Sequence, residues 1–183
     1  MTRRFRPLMI VTLASAALFL ARPALAGPPL LCFPFEIGAA KSLPMGHGAW
    51  HNIDPTYDVA RLVDDTLALL SPDAPVRVRL ETIRRATIYA SKRPAIANAL
   101  LAALQQRAEH PDQKTAALAV FDFGYLVETY REATYGLDMV SPAIDTIDGY
   151  QLVLKAHVLQ SDATMQEAAR LIVDGLPKRT AAK

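Results

Sequence analysis

An all-α fold, built from about six helices in antiparallel hairpins, is predicted by three features of this 183-residue chain. From Pro55 onward apolar residues recur every three or four positions, the spacing that lines one face of a helix. Prolines fall at the starts and ends of those stretches, and Gly136 and Gly175 close two of them. No segment sustains the alternation of a half-buried strand: Val76-Arg77-Val78-Arg79-Leu80 alternates briefly, but its stripe runs on at helical spacing to Ile83 and Thr87. A composition of 51% apolar and 21% charged residues is that of a globular chain, too apolar for disorder and too charged for a polytopic membrane protein.

Residues 1–26 read as a secretory signal peptide. Arg3, Arg4 and Arg6 precede the apolar stretch from Leu8 to Leu20, and Arg22-Pro23 leads into Ala24-Leu25-Ala26, where small residues suit cleavage after Ala26. An apolar run of roughly 14 residues is too short to cross a bilayer, which takes ~20. Phe5 directly after the arginine pair argues against twin-arginine export, and Leu31 before Cys32 argues against lipid attachment. The expectation is general secretion, to a periplasm or beyond, with nothing spanning the membrane after cleavage. The leader takes four arginines with it, leaving 16 basic residues against 18 acidic ones. The whole-chain basicity is therefore largely the export signal, and an argument for nucleic acid from charge falls away. The remaining 157 residues suffice to bury a core without disulfides. Cys32 has no partner within the chain in any case.

Residues 27–54 hold Pro28, Pro29, Pro34 and Pro44 with Gly27, Gly38, Gly46 and Gly48, too many breakers for a helix. The same stretch carries Leu30, Leu31, Phe33, Phe35, Ile37 and Leu43. Leaving such side chains in water costs about 1.5–3 kcal/mol each, so the segment is expected to lie as an extended strap on the helical body.

The helical domain spans 55–176, with 177–183 as a tail. Asp54-Pro55 opens the first helix, whose stripe is Val59, Val63, Leu67 and Leu70. Asp73 opens the second, with Val76, Leu80, Ile83 and Thr87 on one face. Ser91 caps the third, which carries Ala97, Leu100, Leu101 and Leu104 and ends before His110-Pro111. Asp112 opens the fourth, where Ala116, Val120, Phe123, Val127 and Tyr130 run towards Gly136. Ser141-Pro142 opens the fifth, carrying Ile147, Leu154 and Val158. Ser161 or Asp162 opens the sixth, with Met165, Ala169 and Ile172, before Gly175 and Pro177. The first four helices start near 55, 75, 94 and 113, spacings of 19 or 20 residues that suit stacked hairpins, although the residues themselves do not repeat. A stacked, repeat-like array and a compact bundle are both open.

Gly27-Pro28-Pro29-Leu30-Leu31-Cys32, Pro34-Phe35-Glu36-Ile37-Gly38 and Ala40-Lys41-Ser42-Leu43-Pro44 resemble the mature N-terminus of a group of uncharacterised secreted bacterial proteins. Thr82-Ile83-Arg84-Arg85-Ala86 and Phe121-Asp122-Phe123-Gly124-Tyr125-Leu126-Val127-Glu128 are similar to that group as well. The resemblance implies a secreted helical protein and supplies no mechanism.

Four constellations carry candidate chemistry. His47 and His51, with Cys32 and Met45 upstream, are soft ligands suited to copper(I) or zinc, though the glycines around them favour a loop, where spacing fixes little. Residues 77–93 hold Arg77, Arg79, Arg84, Arg85, Lys92 and Arg93 against Glu81, whereas residues 108–174 hold eleven acids against four bases. A basic helix could meet anionic envelope components, but Arg77 and Arg84 flanking Glu81 also fit an ordinary solvated face. Trp50 and Tyr57, where the strap meets the first helix, are candidate partner-binding residues. Phe121, Phe123, Tyr125, Tyr130 and Tyr135 crowd the fourth helix, where core packing is the simpler account. Finally, Glu36, Glu81, Glu128 and Glu132 are the carboxylic acids to check for a hydrolase, and Glu128 with Glu132 form the best pair.

No nucleophile elbow, phosphate loop, zincin motif, paired-cysteine motif or haem attachment site is present, and no cofactor is implied. Asp145 and Asp148 beside Gly149 do not match a calcium loop and read as capping or exposed residues; His110 and His157 suggest no site. The sequence thus favours a non-catalytic module that binds a protein, a peptide or an envelope component, with a cell-envelope hydrolase and a metal-binding protein as alternatives.

Overall fold

The computed structural model describes residues 29–112, 115–139 and 143–175, and all regular structure among them is helical. A 3-10 turn at Val59–Arg61 leads into α1 (Leu62–Leu69), followed by α2 (Val76–Ala90), α3 (Pro94–Glu109), α4 (Ala116–Gly136), α5 (Gly149–Leu159) and α6 (Ala163–Gly175). The six expected helices are present. The leader, Ser141-Pro142 and the tail lie outside the described residues.

Of the two arrangements left open by the sequence, the closed bundle is the one formed. α4 packs against α2, α3, α5 and α6, so one helix occupies the centre instead of a row of hairpins stacking neighbour on neighbour. Its position follows from its residues: it is apolar on every side, and Ala117 through Tyr130 are buried without interruption. α2 is the second inner helix, buried over most of its circumference.

Two helix starts differ from expectation. Asp54 does not cap a helix; its Oδ1 accepts from the Thr56 backbone N–H (2.8 Å) and hydroxyl (2.7 Å), closing a turn, and Asp58 caps the 3-10 segment through Ala60 N–H at 3.0 Å. The side chain of an Asx residue can serve either a turn or a helix end, and here it serves the turn. The fifth helix starts at Gly149, where Asp148 Oδ1 accepts from Gln151 N–H at 3.0 Å. Its inner face is Gly149, Val153 and Ala156 rather than the expected Ile147, Leu154 and Val158, and Val158 is 84% exposed. Smaller adjustments affect α3, which begins at Pro94 while Ser91 Oγ turns back to Ile88 O (2.9 Å), and α4, which begins after Thr115. Asp73 makes no cap on α2, and in α1 Leu62 and Thr66 take the inner face with Leu70.

Gly124 of α4 and Gly149 of α5 mark the tightest helix crossing. A Cβ on Gly124 would stand 2.7 Å from Leu152 Cβ and 2.8 Å from Gly149 O, and one on Gly149 would stand 2.5 Å from Gly124 O. Only hydrogens fit between these backbones.

Residues 29–58 form no helix and lie against the bundle, with Leu30, Leu31, Phe35 and Leu43 buried in the same core as α2 and α4. The strap is therefore part of the fold.

Candidate functional site

α2 fixes the strap through charged side chains that sequence spacing had placed on a solvated face. That expectation is corrected: Glu81 and Arg84 are fully enclosed, with side-chain exposures of 0% and 2%. Arg84 forks onto Glu81 through Nε–Oε2 (2.8 Å) and an Nη2–Oε1 contact (2.9 Å), and Arg85 Nε reaches Oε1 at 2.6 Å. The spare donors of the two arginines then reach strap carbonyls: Arg84 Nη1 donates to Leu31 O (2.8 Å) and Trp50 O (3.3 Å), and Arg85 Nη1 to Leu43 O (2.6 Å). Phe35 N–H returns the exchange by donating to Glu81 Oε2 at 3.0 Å. Tyr89 adds a link at each of two points, donating to Pro44 O (2.9 Å) and accepting from Asp54 N–H (3.0 Å), and Ser42 bonds Thr82 at 3.0 Å. A strap without strand partners needs somewhere to send its backbone polar groups, and α2 supplies it. Burial works to raise the Glu81 pKa, but Arg84, Arg85 and the Phe35 N–H outweigh it, so the carboxyl titrates below its ordinary range.

A second buried pair sits elsewhere. Arg79 Nη1 meets Asp122 Oδ2 at 2.5 Å, while the other guanidinium nitrogens of Arg79 donate to Ala74 O and Ser71 O at the turn after α1. Asp122 Oδ1 has no partner, and complete burial pushes this carboxyl up to about 7 despite Arg79 and Arg107. Two of the six cations of the basic stretch are thus spent inside the protein, and Arg77 is paired with Glu167 at 2.6 Å. The charge run is no open basic face.

A cavity of about 600 Å³ lies between the strap, α4, α5, α6 and the loop before α5. Glu128, Arg131, Glu132 and Tyr135 line it from α4, spaced three and four residues apart on one helix face. Asp145 and Asp148 face it from the loop, Leu30 from the strap, and Ile172 and Gly175 from α6. Glu128 is committed: its Oε1 accepts from Arg131 Nη1 and from Tyr150 N–H (3.1 Å), and Arg131 Nη2 donates to Ile147 O at 2.9 Å. Glu132 is only half committed. Its Oε2 accepts from Leu30 N–H at 2.9 Å, whereas Oε1 is shut from solvent and has no donor. Burial, against the Leu30 and Leu31 N–H groups and with a smaller contribution from Glu128, pushes this carboxyl up to about 8. At neutral pH it carries its proton. Asp145, Thr146, Asp148 and Tyr135 form the exposed side of the cavity, and Tyr135 is 76% exposed.

The other candidates are dispersed. His47 and His51 are exposed, His51 with its ring edge-on to Trp50 at 5.0 Å. Cys32 is partly buried near Glu132 and Arg84, with its thiol pKa raised chiefly by burial. No group of three histidine, cysteine or carboxylate side chains among the described residues is arranged to hold a metal. Trp50 and Tyr57 are partly buried against the core: Tyr57 donates to Asp65 Oδ2 (2.9 Å), its ring tilted onto Tyr89 at 5.0 Å. Neither lines the cavity. Glu36 is exposed. Of the α4 aromatics, Phe121 and Tyr125 stack at 5.9 Å inside the core. Glu128 and Glu132 are the sequence candidates that the fold brings to a cavity. Arg131 joins them unheralded, and Asp145 and Asp148, read from the sequence as capping or exposed residues, are both exposed, with Asp148 capping α5, and line the same cavity.

No helix among the described residues is long and apolar enough to cross a membrane. Compared with known proteins, the chain matches no family model, no curated protein and no solved structure.

Proposed function

We propose that this chain is a secreted, non-catalytic binding module whose ligand enters the cavity between the strap, α4, α5 and α6. The observation that carries the reading is the wall of that cavity, a preformed hollow of about 600 Å³ in which Leu30, Tyr135 and Ile172 stand beside Glu128, Asp145 and Asp148. Cavities of this size suit small organic ligands or a peptide side chain, with a few polar groups fixing orientation. Support for a fixed cavity comes from the strap: Leu30 lines it and is held by Glu132, and the chain beyond is anchored to α2. The signal peptide reading supports export, and the resemblance to secreted proteins agrees with it.

The test is a ligand screen on the mature protein read by NMR, with Tyr135→Ala as the control. Binders that perturb the amides of Tyr150 and Gln151 and weaken in Tyr135→Ala support the reading; a screen in which every hit maps to other surfaces rejects it.

One observation favours a hydrolase as a second reading: Glu132 keeps its proton at neutral pH, as a general acid must. Against it, Glu128 is tied to Arg131 and Tyr150 and is not free to serve as the base. Release of soluble fragments from purified peptidoglycan, abolished in Glu132→Gln, would replace the binding reading with the catalytic one.

A further inference from the structure

We propose that Glu132, Pro29 and Gly175 form a latch in the cavity wall, shut while the Glu132 carboxyl is neutral and opened when it ionises and turns into the cavity. Three elements meet at this point. α4 supplies Glu132, the strap supplies Pro29 and Leu30, and α6 ends there at Gly175. A Cβ on Gly175 would stand 2.6 Å from Glu132 Oε1 and 2.7 Å from Pro29 Cγ, so the seam closes only on a glycine. Oε1 is sealed in it without a donor, while Oε2 holds Leu30 N–H at 2.9 Å. An enclosed acceptor without a donor is tolerable on a neutral carboxyl and costly on a charged one, because a closed seam withholds the hydration that a carboxylate needs.

The charges around the seam do not make up that loss. On α4, Glu128 faces Glu132 with like charge, and Arg131 is spent on Glu128 and Ile147 O. On the strap the titratable neighbour is Cys32, and Arg84 of α2 is committed to Glu81, Leu31 O and Trp50 O. The loop before α5 and the end of α6 add only further acids, Asp145 and Asp148 from the one and Asp174 from the other. Water is the remaining partner, and the route to it is short: Glu132 is partly exposed and lines the cavity together with Leu30 and Gly175. Turning outward takes Oε1 from between Pro29 and Gly175 and frees the start of the strap and the end of α6 from α4. The closed seam holds this carboxyl at about 8 against an ordinary 4.5, so each pH unit between them favours the open form by up to about tenfold. The latch belongs to the wall and does not depend on a ligand; where the cavity holds one, as proposed above, mildly alkaline solution weakens its retention.

The test is NMR of isotope-labelled mature protein from about pH 6 to about pH 9.5, following the Glu132 carboxyl shift and the nuclear Overhauser effect between the Pro29 ring and the Gly175 α protons. The carboxyl is expected to titrate with a midpoint at about 8, and the Pro29–Gly175 signal to fall by at least half over the same range. In Glu132→Gln, which cannot ionise, that signal should stay constant. In Gly175→Ala, whose methyl group takes the place of Oε1, the carboxyl should titrate closer to the ordinary glutamate range. An ordinary midpoint in the unmodified protein, a signal unchanged while the carboxyl titrates, or an equal loss in Glu132→Gln would each overturn the latch. The two curves of the unmodified protein decide the matter even where a variant does not fold. Because the readout is the seam itself, the latch can fail with the cavity still a binding site, and a ligand screen without hits leaves the latch standing.

Discussion

Glu81 is the residue on which the strap depends. It accepts four hydrogen bonds from three residues in a place closed to water, and the arginines that neutralise it also hold the strap carbonyls. Removing one partner of a buried ion pair costs about 3–5 kcal/mol, because the remaining charge is stranded. Arg84→Ala should therefore lose stability of that order in urea unfolding, and Arg84→Lys should recover little, since an ammonium cannot reproduce the two-point fork. A loss below about 1 kcal/mol in Arg84→Ala would show that the clamp is incidental. Glu132 gives a prediction of opposite pH sign to that of Glu81. Its folded pKa lies above the ordinary glutamate value, so its contribution is complete below about pH 4.5 and is lost as pH rises through about 8. Asp122, raised to about 7, adds to the same decline. Glu81, held low, acts the other way, and its contribution is lost in acid. Stability should therefore fall as pH rises from about 4.5 to about 8 and level off above, and Glu132→Gln, which cannot ionise, should flatten that slope in chemical unfolding measured across the range.

At the scale of elements, the contact between α4 and α5 is decided by two missing side chains. Gly124→Ala sets a methyl group against Leu152 Cβ and a carbonyl oxygen, neither of which is the flexible end of a side chain. The helices must part, at a cost of about 1–3 kcal/mol for overpacking. Thermal unfolding of Gly124→Ala and Gly149→Ala should show lowered midpoints in both, with Gly149→Ala also disturbing Glu128, whose Oε1 would lie 2.6 Å from the new Cβ. Neither glycine announces this role in the sequence, where a lone glycine in a helical pattern reads as a weak point. The helices themselves are legible. Stripes such as Ala97, Leu100, Leu101 and Leu104 on α3 or Met165, Ala169 and Ile172 on α6 are buried as periodicity predicts. Periodicity fails on α5, where the small residues Gly149 and Ala156 face inward and Val158 does not, because close approach to α4 favours a small side chain over an apolar one. On α2 the expected stripe of Val76, Leu80, Ile83 and Thr87 is buried, and only the reading of its charges fails, since a helix surrounded on most sides has no outer face to give them. Glu81 and Arg84, three apart, are a surface pair on an outer helix and a core clamp on an inner one; only tertiary contacts distinguish the two. Glu128 and Glu132 are legible as a pair, whereas Asp145 and Asp148, which complete the cavity wall, depend on how the chain returns to α4.

For the whole molecule, the consequence is that strap and bundle form one core. Leu30, Leu31, Phe35 and Leu43 share it with the inner helices, and Leu30 forms part of the cavity wall. A loosely attached strap would leave the cavity without that wall, and the ligand would then have to organise its own site at a cost in affinity. A strap held by the Glu81 clamp presents the cavity already formed. The chain carries a single tryptophan, Trp50, and it lies in the strap with its carbonyl bound to Arg84, so its fluorescence reports the strap while far-ultraviolet circular dichroism reports the helices. Urea unfolding of the mature protein followed by both signals is the direct test: coincident transitions with one midpoint are predicted, and a Trp50 transition completed at lower urea, with the helices still intact, would contradict the account.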